Sequence, residues 1–287
     1  MSPTSTVPRV LRPRRIAETD AHEGPVYVAE EHALYFTSVR RERVALKRLD
    51  LNDRTVSVLR VNANAANGMA LDREGRLVVC EQGTLGEPAR ISRVDRRTGH
   101  VETLVDTWCG LPLNSPNDVV VRSDGTVWFT APSYGYLQGF RLKPRLADRV
   151  YRYDPAGGSL AVVADGFDKP NGLAFSPDEE TLYVGDNGEP KELVAFDVRD
   201  DGRLAGRRVL AVSAGEHPDG LKVDRAGRIY ASSPRGVDIL APTGEPLGVV
   251  DLPGAVNFAF GPGEDVLYIT ADTAIWAADL NAKGAWT

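Results

Sequence analysis

Glu23, Asn117, Asn171 and Asp219 each open a short apolar run that turns back into a second strand-like run rich in Leu, Val, Ile, Trp or Tyr. Asn67 and Asn257 open two more copies of the pattern, NGMALDREGRLVVCEQ and NFAFGPGEDVLYITAD. If the repeat wraps around an axis, its first residues form a ring of oxygen donors. Carboxylate and amide oxygens are hard donors suited to Ca²⁺, Mg²⁺ or Mn²⁺. Glu23, Asn117, Asn171 and Asp219 are selected as metal ligands. Their two carboxylates neutralise a divalent ion formally, and the amides add coordination while leaving the ion able to polarise a carbonyl. Asn-Gly pairs are also ordinary turn chemistry, so Asn67 and Asn257 are compatible with shaping strand entry alone. Glu is no turn specialist, and Glu23 occupies the slot that Asn or Asp holds elsewhere.

The elements that must position these residues follow from the spacing. The copies start 44, 50, 54, 48 and 38 residues apart, a period that belongs to radially repeated sheets. Turns such as DREGR, RSDGT and DRAGR join the first two strands of a copy. Further runs such as VYRYDPAGG and SLAVVAD bring each unit to the four strands of a propeller blade. The fold class is therefore all-β, a six-bladed β-propeller, with residues 1–287 forming a single domain and 1–8 expected to be poorly ordered. The last copy is short, so Arg9 to Glu18 is predicted to supply the strand that completes the sixth blade and protects its edge. Helix is expected to be scarce. The longest irregular insertion, Pro132 to Asp148 (PSYGYLQGFRLKPRLAD), carries Tyr134, Tyr136 and Phe140 and is read as a lid over the axial pocket.

Composition removes several functions. A net charge of -6 disfavours a nucleic-acid partner, and Arg12, Arg14 and Arg15 read as a solvated strand face. No apolar stretch has the length of a membrane span and the N-terminus lacks a signal-peptide core, so no membrane partner is expected and the default compartment is the cytoplasm. Two cysteines, Cys80 and Cys109, suit reduced thiols, with Cys80 buried in a strand. Nucleophile-elbow, zinc-helix, phosphate-loop and dinucleotide signatures are absent. His22 and His217 fall beside ring positions Glu23 and Asp219 without zinc-ligand spacing.

EGPVY at Glu23, LNSPNDVVVRSDG around Asn117, the following YGY, KPNGLAFSPDEETLYV at Asn171 and PDGLKVD at Asp219 closely resemble the gluconolactonase, regucalcin (senescence marker protein) and luciferin-regenerating enzyme family. The resemblance runs from about Ala21 to Asp272. It implies a six-bladed propeller with one divalent cation on the axis, and hydrolysis of a small-molecule lactone, as many members hydrolyse sugar lactones. Carried over by motif, it implies that Glu23, Asn171 and Asp219 ligate the metal. Asn117 would help hold metal, water and substrate, and Asp219 would serve as general base. Three positions depart from the family pattern: Gln82 stands where relatives often have His, Ala131 where they have Asp, and Ser115 where regucalcin-like members have Arg. The metal site is thus expected intact and the substrate pocket altered.

The reading is a metal-dependent lactonase with Asp219 catalytic and with Asn117, Ser115, Gln82, Tyr134 and Tyr136 around the substrate. Ca²⁺ is the first candidate cation, and Zn²⁺, Mg²⁺, Mn²⁺ or Fe²⁺ also suit the donors. Two rivals remain: another reaction on the same centre, such as phosphotriester hydrolysis or a biosynthetic-pathway step, and a non-catalytic binding propeller. Oligomeric state is open.

Overall fold

The computed structural model describes residues 9–39, 43–212 and 219–280; the expectation for residues 1–8 and the neighbourhood of His217 lie outside them. Six antiparallel sheets are arranged as a β-propeller. Blade 1 comprises Val26–Val28, Ala33–Thr37, Leu46–Asp50 and Val56–Arg60, and blade 2 Ala66–Leu71, Leu77–Glu81, Arg90–Val94 and Val101–Val105. Blade 3 comprises Val119–Val121, Val127–Ala131, Arg149–Asp154 and Ser159–Ala164, and blade 4 Pro170–Phe175, Thr181–Asp186, Glu192–Val198 and Leu204–Val212. Blade 5 comprises Leu221–Val223, Ile229–Ser233, Gly236–Leu240 and Pro246–Asp251, and blade 6 Asn257–Phe260, Val266–Thr270 and Asp272–Asp279. Helix among the described residues is one α-turn, Tyr134–Leu137, and two 3₁₀ turns. None is long and apolar enough to cross a membrane.

An N-terminal strand closes the last blade as expected, with different bounds and one added pairing. Arg14–Ala21 pairs antiparallel with Asp272–Asp279 and completes blade 6, but Arg9–Leu11 pairs parallel with Pro246–Asp251 at the outer edge of blade 5. Pro13, between the two strands, lacks the N–H that a continuous ladder needs. The chain therefore steps from one blade to the next and covers two outer edges. Arg12, Arg14 and Arg15 are exposed, as their charge demands.

The second strand of each blade is apolar on both sides because each sheet is sandwiched between two others. LVVCE and VWFTA are buried throughout. The core falls into six clusters, one per blade interface. Trp128 and Phe196 belong to the cluster between blades 3 and 4, for example, and Phe36 and Tyr268 to that between blades 6 and 1. Phe129 and Tyr151 stack with centroids 5.3 Å apart. Cys80 is fully buried and Cys109 exposed, and both are free thiols.

Near the axis successive blades touch backbone to backbone. A Cβ on Gly172 would lie 2.3 Å from the Asp219 carbonyl oxygen, and one on Gly24 2.5 Å from that of Asn67. Gly68 and Gly220 meet the next blade equally closely, at Asn117 and Asn257. The recurrent glycine after the ring residue is thus a contact requirement. Nor are the Asn67-Gly68 and Asn171-Gly172 pairs turns: each lies within a strand, where the register slips between Ala66 and Met69 and between Pro170 and Leu173. Such a bulge re-aims a side chain.

Candidate axial site

Glu23, Asn67, Asn117, Asn171 and Asp219 line one cavity of about 410 Å³ together with His22, Gln82, Tyr134, Gln138 and Asn187. The volume suits a small molecule. Asn257, the sixth ring residue, stands behind this wall, where its Nδ2 donates to Glu23 Oε2 at 2.7 Å and its Oδ1 accepts from the Phe258 N–H. It orients the carboxylate. Asn67 likewise donates through Nδ2 to the Asn117 carbonyl at 3.1 Å.

A hydroxyl near the end of the second strand anchors the backbone at or beside the ring residue in four blades. Thr37 Oγ1 donates to the Glu23 carbonyl. Thr130 Oγ1 accepts from the Asp118 N–H and donates to the Asn171 carbonyl at 2.8 Å, tying blade 3 to blade 4. Ser232 Oγ accepts from the Asp219 and Gly220 N–H groups, and Thr270 Oγ1 donates to the His22 carbonyl.

Burial and then the Glu23 carboxylate push Asp219 well above the usual carboxylate range, against the opposing pull of His22 and a hydrogen bond from Asn171. Burial works against charge on His22, yet its hydrogen bond to Asp272 and the fields of Glu23 and Asp219 raise it above an ordinary histidine. The His22 Nδ1 to Asp272 Oδ1 distance is 2.7 Å. Tyr134, raised by burial and by Asp219, stays a phenol; its hydroxyl accepts from Asn171 Nδ2 at 3.4 Å.

The donors suit a hard cation. Asn117 and Asn171 are 4% and 3% exposed, and the Oδ1 of each has no hydrogen-bond partner. A buried acceptor without a donor is costly, and two such oxygens beside mutually repelling carboxylates are what a cation would satisfy. Among the described residues no three His, Cys, Asp or Glu side chains gather as a metal-binding group; two of the four donors here are amides.

The structure does not bring every predicted residue to this cavity. Glu23, Gln82, Asn117, Tyr134, Asn171 and Asp219 line it; Ser115 and Tyr136 do not. Ser115 is buried and its Oγ accepts the Gly135 N–H at 3.0 Å, so it fixes the insertion from below. Tyr136, 45% exposed, projects from the insertion turn into an adjoining cleft with Arg141. Ala131 packs in the interface between blades 2 and 3. Within the insertion, Tyr134 and Gln138 reach the axis, and Arg141 ties the segment down by donating to the Leu113 and Glu87 carbonyls. Ser38 and Asn187 were not anticipated. Each follows the second strand of its blade, as Gln82 does, so that shared phase was the available signal.

The family described as the SMP-30/gluconolactonase/LRE-like region matches residues 21–273. A gluconolactonase of Zymomonas mobilis is 35% identical over 221 residues, covering 72% of this chain and 60% of that protein. The lactonohydrolase oryL of Aspergillus oryzae is 29% identical, covering 94% of this chain and 70% of its own length. A solved gluconolactonase of Xanthomonas campestris superposes with a TM-score of 0.83 at 38% identity, covering 92% of this chain and 87% of that one.

Proposed function

The chain belongs to the SMP-30/gluconolactonase/LRE-like family, and from that premise we propose that it hydrolyses a lactone at a divalent cation held in the axial cavity. Relatives that are gluconolactonases and a lactonohydrolase support ester-ring opening. The observation that carries the metal is the pairing of Glu23 and Asp219 with the partnerless Oδ1 atoms of Asn117 and Asn171.

Glu23, Asn171 and Asp219 would hold the ion, with Asn117 completing the donor set. When bound, the cation supplies Lewis-acid polarisation of the ester carbonyl. Asp219 accepts a proton from the attacking water and returns it to the ring oxygen as the carbon–oxygen bond breaks, leaving a hydroxy acid. As a ligand Asp219 would be a weak base, so this role relies on the cation also making the attacking water more acidic. Glu23 is kept in place by Asn257 and by the Gly24 N–H at 3.0 Å. Tyr134, a phenol beside Asn171, offers a donor to the substrate and, with Gln138, forms the roof that limits water.

The test is hydrolysis of a panel of five- and six-membered sugar and aliphatic lactones, followed by proton release, on chelated protein with each divalent ion added back. Turnover restored by a cation supports the reading. Stoichiometric cation binding with no lactone opened overturns it.

A further inference from the structure

Beside the axial cavity lies a second one of about 610 Å³, and Val44 and Ala65 belong to the walls of both. The outer cavity runs from these residues to Leu85 on the loop after the second strand of blade 2 and to Phe140 on the insertion. Leu85 is 70% exposed and gives the groove an apolar surface open to a ligand. Among the described residues the charged members of the lining, Arg43 and Glu87, have opposite signs.

A second, independent feature concerns polarity. Asn64, 5% exposed, lines the groove. Its Nδ2 donates to the Pro88 carbonyl at 2.9 Å, which fixes the amide orientation, and its Oδ1 has no donor. Asn64 and Ala65 hold left-handed backbone conformations, φ 51° and 53°, and their carbonyls accept the Gly83 and Gln82 N–H groups. The strand end that presents Gln82 to the axis thus also presents Asn64 to the groove.

We propose that the groove is the subsite for a substituent on the lactone ring: an apolar chain that carries one hydrogen-bond donor near the ring. The chain lies along Val44, Leu85 and Phe140, and the donor satisfies Asn64 Oδ1. The substrate class is therefore an N-acylamino or hydroxyalkyl lactone in preference to a bare polyhydroxylated sugar lactone. This inference rests on the lactonase reading for the placement of the ring.

The experiment compares kcat/KM for γ-butyrolactone, its α-hexanoylamino derivative, the O-acyl counterpart lacking the N–H, a γ-(1-hydroxyalkyl) derivative and glucono-1,5-lactone, with calorimetric binding of the ring-opened N-hexanoyl product measured in parallel. The acylamino lactone is expected to exceed γ-butyrolactone by about tenfold or more and to exceed the O-acyl counterpart. In Leu85→Asp the first ratio collapses toward one, and the ring-opened product loses binding. A faster hydroxyalkyl than acylamino substrate assigns the donor to a hydroxyl. Equal rates for substituted and bare lactones, or an advantage that survives Leu85→Asp, overturn the subsite. If no lactone is opened but the product still binds in a Leu85-dependent way, the lactonase reading falls while the groove stands. Hydrolysis of gluconolactone alone, with no binding of the acyl product, removes the groove and leaves the reading.

Discussion

At the scale of single residues, the site is a problem in electrostatics. Two carboxylates and two partnerless amide oxygens converge in a buried space, which is unfavourable until positive charge arrives. Asp219→Asn removes the proton acceptor but keeps an oxygen donor. It is expected to lower kcat by about 10²–10⁴-fold while isothermal titration still detects the cation, and unchanged turnover would rule out Asp219 as the base. Asp118, immediately beside Asn117, gives a pH prediction for metal-stripped protein. Burial raises it from 3.8 to about 6 against the pull of Lys222. The folded state then holds this proton more tightly than the unfolded chain, so stability falls as pH rises from about 4 to 6, by about 3 kcal/mol. Denaturation midpoints in chelator should show that decline, and Asp118→Asn should flatten it. Glu23 was legible in the sequence because Glu is anomalous in a slot of Asn and Asp. The His22–Asp272 pair was not, since 250 residues separate its members and only blade closure makes them neighbours.

Among the elements, the repeating strand pair was readable, but the means by which it aims its residues were not. Asn-Gly has one appearance in sequence whether it makes a turn or a bulge, and only pairing with Leu77–Glu81 or Thr181–Asp186 shows that the chain slips there. The anchoring hydroxyls were hidden for another reason: Thr37, Thr130 and Thr270 sit inside strands where β-branched residues are expected anyway, and Ser232 is one of two adjacent serines that follow a small Ala in its strand. Their energetic role can be isolated at Thr130. Thr130→Val keeps the volume and deletes the bridge to Asn171, leaving that carbonyl and the Asp118 N–H short of a partner. A loss of about 1–3 kcal/mol in urea stability is expected, accompanied by weaker cation binding because Asn117 and Asn171 lose their common brace. A stable variant with unchanged cation affinity would show that the ring does not depend on this hydroxyl. The insertion was legible as irregular and aromatic. Which tyrosine turns inward was not, because a single helical turn, Tyr134–Leu137, sends Tyr134 and Tyr136 in different directions.

For the molecule as a whole, stability depends on closing a circle of six interfaces, none of which is a core by itself. The N-terminal strand matters out of proportion to its length, since Ile16 and Ala21 pack into the interface between blades 6 and 1. Ile16→Ala should cost about 2–5 kcal/mol, measurable as a lowered denaturant midpoint, even though Ile16 is far along the chain from the residues it holds. A midpoint unchanged within error would mean that the ring closes without that strand. The sequence predicted closure but not its two-blade form, because a three-residue parallel pairing such as Arg9–Leu11 has no local signature. The glycines at the axis carry a further consequence. At four of the six junctions Gly24, Gly68, Gly172 and Gly220 bring the inner strands into close contact, so there the bore of the ring depends strongly on main-chain thickness. Discrimination among cations by ionic radius would then be a property of how tightly the circle is drawn, and one methyl group inserted at Gly172 would act like a shim, pushing Asp219 outward and shifting preference toward larger ions with the same ligand set.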